Sequence, residues 1–524
     1  MNRFLNAGSY LAMLLLSIYL LGCGGSSNNV AGIDGSGSRV TSASGTVNGF
    51  GSVIVNGVRY HSEKTKFLVN GVIASEDSLR TGYQVHVTGT LNDDGTGTAD
   101  TIEFNPNLIG AITSIDLQND QLVLLEQTVQ ITNTTLFDAA INANDLSGLS
   151  IGTTILVSGQ LNDEGLIAAT RIELAQQTTY QVTGVISNLN VANATFTLNN
   201  LTINYSAAAL NNIPSNQLQN GLTVNVAGTL DNNIFKAKTI SFKNINFSAD
   251  VKTAEVEGFI TRFASTTDFD VAGIVCSTTS ATTYENGNST TLALGSPLKV
   301  NGNVDSNGVL VAQKIEFRQK AINEIAGQVA NRSTAIAGAI ATGSFQISGT
   351  TIQTNNSTAY EDGSNDNLRR FNFSDIHNGD FLKVSGYTSQ NTFIATKIER
   401  RILQTNTELK YEGLITQVNI DANSVVVYGQ TVYINTQTEI RGELGVSLTA
   451  AQFLAQAINL QVRVRGTTQN GVFTATQIEI RPENNDFFHH PPGPGGTDFD
   501  NGGGNGGGGG AGGEEGGGKD GGFH

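Results

Sequence analysis

Tryptophan is absent from this chain of 524 residues, and cysteine occurs only twice. The first absence removes the flat platform on which sugar-binding proteins commonly stack a ring, leaving the 12 tyrosines to serve that role. The second leaves no disulfide framework, because Cys23 ends an export signal and Cys276 then has no partner within the chain. Charge is also scarce, at 14% of residues, and it leans acidic, with 45 Asp and Glu against 29 Lys and Arg for a net charge of −16. No run of Lys and Arg breaks that pattern, so nucleic acid is not expected as a partner. The patterns His-Glu-x-x-His and Gly-x-Ser-x-Gly are both missing, and the six histidines do not recur with any period. His86 alternates outward from a strand and reads as a solvated side chain. Gly513 to Lys519 has most of a phosphate-loop spacing, but Asp520 stands where Ser or Thr is required and no strand precedes it. No catalytic residue is assigned, and no cofactor is expected.

The apolar run Tyr10–Gly22, preceded by Arg3, is too short to span a bilayer and has the length of an export-signal core. It ends in Leu20-Leu21-Gly22-Cys23, which resembles a bacterial lipobox, with cleavage between Gly22 and Cys23 and lipidation of the Cys23 thiol. Several acyl chains on Cys23 would anchor the protein stably, where one would not. Gly24 follows in place of Asp, which points to the outer membrane. Residues 24–44 carry too little apolar content to fold and read as a tether.

Beyond the tether one pattern returns six times. Each unit opens on a Gly (Gly45, Gly110, Gly184, Gly258, Gly327, Gly413), at spacings of 65, 74, 74, 69 and 86 residues. Each closes on Ala-x-x-Ile, from Ala99 and Ile102 in the first to Ala475 and Ile478 in the last. A repeat of that length makes each unit one supersecondary module. Strand periodicity fills the units: Val85, Val87 and Gly89 alternate with His86 and Thr88, and Val462, Val464 and Gly466 alternate with Arg463 and Arg465. Before each such strand stands Gly82, Gly152, Gly221, Gly295, Gly379 or, in the sixth unit, Asn459, which predicts a left-handed turn. Turn sequences such as Asn92-Asp93-Asp94-Gly95 and Asp305-Ser306-Asn307-Gly308 separate the fourth strand from the fifth as hairpins. They are too short for a calcium loop. The insertion Glu361–Asn367 is the better cation candidate, through Asp362 and Asp366, although a solvated loop is the reading preferred. His489 and His490 in the Gly-rich tail are the other metal candidates, against a plain disordered spacer.

About five short strands per unit predict an all-β chain of six small barrels or meanders of the OB type. The segment Leu448–Ile458 of unit six reads as a short helix with Thr449 as N-cap, at the junction where an OB barrel carries one. The first unit, through Gly49-Phe50-Gly51, Gly82 and the strand Val85–Gly89, resembles the bacterial domain-of-unknown-function 5666 family, whose members are small β domains found in tandem, often in predicted lipoproteins. The resemblance covers residues 45 to about 482 and fades in later units. It implies no activity and no site residues.

The expected organisation is a signal peptide (1–22), a lipidated Cys and tether (23–44), modules at 45–106, 107–178, 179–247, 252–319, 322–404 and 408–482, and a tail (483–524). The expected function is a non-enzymatic, outer-membrane lipoprotein whose modules bind, adhere or space, with an envelope polysaccharide or protein as partner. The alternative is an envelope enzyme, or subunit of one, acting on polysaccharide or peptidoglycan through residues unique to one module.

Overall fold

Val85 and Val87 point inward from the strand Gln84–Leu91 while Gln84, His86 and Thr88 point outward, and this alternation closes the first unit around its core. The computed structural model describes residues 39–481 apart from 142–144, 177–178, 243–246, 248–249, 336–339, 391, 403–407, 443–444 and 470. In the first unit the strands are Arg39–Gly49, Val53–Val55, Val58–His61, Gln84–Leu91 and Gly97–Phe104. The first pairs with the second and the fourth, the third runs parallel to the fifth, and the fifth is antiparallel to the fourth. The ring is therefore closed, a five-stranded Greek-key barrel of the OB type. All six units repeat it, and the chain is all-β.

Three backbone devices explain the repeated residues. Gly82, Gly152, Gly221, Gly295, Gly379 and Asn459 all have positive φ, between 64° and 94°. Each donates its N–H to a carbonyl of the first strand, as Gly82 does to Val47 (2.8 Å) and Asn459 to Ile415 (2.9 Å). The glycine of each fourth strand faces a bulge: a Cβ on Gly89 would lie 2.1 Å from the Thr98 carbonyl oxygen, and on Gly302 2.1 Å from that of Val311. The bulge also accounts for Ala-x-x-Ile. Residues three apart in a regular strand face opposite ways, yet Ala99 and Ile102 are both buried, because the register passes from Thr88↔Thr101 to Gly89↔Ala99 and leaves Asp100 as the extra residue.

The third device was not anticipated. Ahead of a short segment parallel to the fifth strand, a Thr hydroxyl donates to the alanine carbonyl of Ala-x-x-Ile: Thr65 to Ala99, Thr135 to Ala169, Thr282 to Ala312 and Thr438 to Ala475 at 2.7 Å, and Thr358 to Ala395 at 2.8 Å. Barrel three has Ala208 there, with the same backbone turn and no hydroxyl. Among the described residues the junction before the fourth strand carries a 3-10 turn in barrels one to five and a helix, Ala450–Leu454, in barrel six, capped by Thr449 and Gln452 reciprocally.

The barrels join in pairs, and each joint is between first strands. Thr41–Ser44 run parallel to Thr253–Val256, linking barrels one and four. Ile109 and Leu108 pair with Gln181 and Val182 between barrels two and three, and Glu324 pairs with Glu412 between five and six. Barrels two and three share one apolar core, as do five and six, whereas one and four keep separate cores. The first strand begins at Arg39, so residues 39–44 belong to barrel one and not to the tether as the composition suggested. Thr41 and Ser42 look soluble in sequence, but both are buried, since the strand is paired on both edges.

Candidate functional site

Charged residues alternate with the core along the strands of barrels five and six, as Arg463 and Arg465 do in Gln461–Gln469. Many face other barrels. Arg171 of barrel two, 3% exposed, bonds Glu173 (2.5 Å), Glu361 of barrel five (3.1 Å) and the Thr81 carbonyl of barrel one (3.2 Å). Arg369 of barrel five lies over the Phe50 ring, 4.0 Å from its centroid, and reaches Glu76, so the Gly-Phe-Gly signature of the first unit is a seat for the fifth.

Where barrels two, four, five and six meet there is a cavity of about 250 Å³. One wall is a ladder of ion pairs. Lys410 Nζ lies 3.3 Å from Glu324 and 3.9 Å from Glu412, and donates to Asn133 of barrel two at 3.0 Å. Arg463 donates to Glu412 (3.1 Å) and to Asp120 of barrel two (2.7 Å), and Arg465 donates to Asp145 (3.0 Å). Lys397 donates to the Thr135 carbonyl (2.9 Å) with Glu399 3.2 Å away. Burial, and then the neighbouring ammoniums, push Lys397 down to about 8 against the pull of Glu399. Glu399 is buried, which alone would raise it, yet Lys397, Arg401 and Lys383 hold it well below the usual carboxylate range. Phe137, Phe259 and Ile322 supply apolar lining.

The residues expected to carry chemistry fare differently. Gly22, Cys23, His489 and His490 lie outside the described residues. Asp362 is buried, and its carboxylate is already engaged: Arg400 donates to both oxygens (2.9 and 2.6 Å), and the N–H groups of Ser364 and Leu368 complete its shell. Asp366 joins the same guanidinium at 3.3 Å. The loop is thus an ion-paired turn, and among the described residues no group of three or more potential ligands gathers. The acidic hairpins spend their oxygens locally too, Asp305 Oδ1 accepting from Asn307 and Val309. His86 is half-buried beside Ser42 rather than solvated, and burial lowers its pKa, because the outward face of its strand is covered. Cys276 is wholly buried, its thiol pushed up to about 12 by burial, and is inert. The cavity itself was missed. Its only trace in the sequence is the concentration of Lys and Arg among core-alternating positions from Lys383 to Lys410 in a weakly charged chain.

Among the described residues no helix is long and apolar enough to cross a membrane. No curated protein matches the chain. Among solved structures, the fimbrial biogenesis protein PilY2 from Pseudomonas aeruginosa is similar at 18% identity over 15% of this chain and 85% of its own, with a TM-score of 0.13, too low to carry an argument. The family described as domain of unknown function (DUF5666) matches residues 39–103, 109–173, 183–241, 257–316, 334–399 and 412–479. Each match falls on one closed barrel with its positive-φ entry, its bulge glycine and its Ala-x-x-Ile, and the chain accordingly belongs to the DUF5666 family as six tandem copies of that domain.

Proposed function

We propose that this protein is a non-enzymatic, lipid-anchored envelope protein whose six barrels act together as one ligand-binding body. The observation that carries the reading is the return of barrels five and six onto barrel two, through Lys397 with Thr135 and Arg463 with Asp120. A spacer needs contacts only between neighbours in sequence. Here charged side chains are committed to contacts between distant units, and a cavity is left at their junction. Anchoring rests on Leu20–Cys23.

Labelling of expressing cells with a clickable palmitate analogue tests the anchor: label on the full chain and its loss in Cys23→Ala is the expected result, and an unlabelled full chain would remove the membrane from the proposal. Retention of an envelope polysaccharide or protein on the immobilised full chain, without chemical change to it, tests the rest. Cleavage of a retained glycan would instead favour the enzymatic alternative.

A further inference from the structure

Two polar groups at the cavity lack the partners that burial demands. Glu324 is 1% exposed, and its Oε1 has no hydrogen-bond partner. The nearest cation to that oxygen, Lys383 Nζ, is 3.6 Å away, an ion pair beyond hydrogen-bond reach. Arg481 Nε likewise has no partner, with Glu412 Oε1 at 3.8 Å and Asp120 at 3.6 Å from the guanidinium. An unsatisfied buried acceptor and an under-used donor in one cavity cost stability unless something completes them. The ladder Glu324–Lys410–Glu412–Arg481 advances in steps of 3.3, 3.9 and 3.8 Å, so these groups follow one another along a single wall.

Charge and size narrow what fits. The wall from barrels five and six lines the cavity with six cations, Lys383, Lys397, Lys410, Arg463, Arg465 and Arg481. Four carboxylates, Asp120, Asp145, Glu324 and Glu412, line it in return. The surplus is positive in a chain whose net charge is −16. An anion is therefore favoured, but Glu324 also requires a donor from it. About 250 Å³ is below the volume of most drug-sized sites and suits a single metabolite-sized ring. Ile322, in the link between barrels four and five and 47% exposed, stands at the cavity with its carbonyl held by Gln461 (3.1 Å), which leaves an apolar edge toward solvent.

We infer that this cavity binds a small hydroxylated carboxylate of the sugar-acid class, its carboxylate taken by Lys383 and a hydroxyl donating to Glu324. The inference rests on the reading of the protein as a binding body and names its ligand class. Two sources share the chemistry, a free sugar acid and the terminal residue of an acidic polysaccharide.

Titration calorimetry of the full chain in detergent, with D-glucuronate, an oligogalacturonate and neutral D-glucose as probes, decides it. Saturable binding of glucuronate or of the oligogalacturonate, with glucose at least about tenfold weaker, is expected. Binding of the oligogalacturonate alone assigns the polysaccharide source. Lys383→Met should weaken the anionic probe by about tenfold or more, while Lys383→Arg, which keeps charge and packing, should retain most of the affinity and guards against loss of fold. Absence of saturable binding by either anion, equal binding of glucose, or affinity indifferent to both Lys383→Met and Glu324→Gln overturns the site. Conversion of bound glucuronate to a new product would overturn the non-enzymatic reading and leave the site standing.

Discussion

At the scale of single residues, the glycines are the most constrained positions, for two distinct reasons. Gly302 cannot carry a side chain because the Val311 carbonyl oxygen occupies the place of its Cβ, whereas Gly308 has open space and a φ of 79°. Gly308→Ala should therefore cost only about 1–2 kcal/mol in urea unfolding, the strain of a left-handed alanine. Gly302→Ala should cost about 3 kcal/mol or more, because backbone must move. Equal costs would refute the bulge as the origin of that glycine. Asp362 carries a pH prediction. Burial raises its pKa, but Arg400 and the loop N–H groups more than offset that and hold it at about 2, below its ordinary 3.8. A depressed folded-state value means stability that is complete above 3.8 and is lost as pH falls through about 2. The stability gap between the native chain and Asp362→Asn should narrow across that window, and a gap constant with pH would dissociate the carboxylate from Arg400.

At the scale of the element, the short segment before the fifth strand is pinned by a threonine in five barrels and by nothing comparable in the third. Ala208→Thr places a hydroxyl where Thr135 and Thr282 have theirs, and should raise the stability of barrel three by about 1 kcal/mol, with Thr282→Ala losing a similar amount in barrel four. Hydrogen exchange of the Ala237 and Ala312 strands would report both, and a destabilising Ala208→Thr would refute the equivalence. Much of the element pattern was legible in the sequence: the left-handed entry at Gly82 or Asn459, the hairpins, the strand alternation and the capped helix after Thr449 all follow from local chemistry. The bulge was legible in principle, since Ala99 and Ile102 cannot both face inward without an extra residue between them. Arg39–Ser44 was not, because a stretch of Thr, Ser and Ala looks like a linker until its partners on both edges are known.

At the scale of the whole molecule, local periodicity says nothing of which outward faces meet. Lys397, Lys410 and Arg463 carry the same in-out alternation as any solvated strand residue, and only the return of barrels five and six onto barrel two turns them into a buried ladder. That is why the candidate site lay beyond sequence reasoning while the barrels did not. Arg171 tests the assembly. Arg171→Met strands Glu173 and Glu361 among three barrels and should cost about 3–5 kcal/mol, as an uncompensated buried charge does. Adding Glu361→Leu should recover part of that cost, because an apolar pair is tolerated where a broken ion pair is not. Small-angle scattering should show the single variant expanded relative to the native chain; unchanged dimensions and stability would mean the barrels hold together without this contact.

The joining of first strand to first strand also orders the folding of the chain. Barrels two and three, and then five and six, can find each other as soon as they are made, but Thr41 must wait for Thr253, on the order of two hundred residues later. During that interval barrel one presents an unclaimed strand edge, the kind of edge to which stray chains attach. The residues on it are Thr41, Ser42, Ala43 and Ser44. Their polarity, which disguised the strand as a linker, keeps a long-waiting edge from being claimed by the wrong partner.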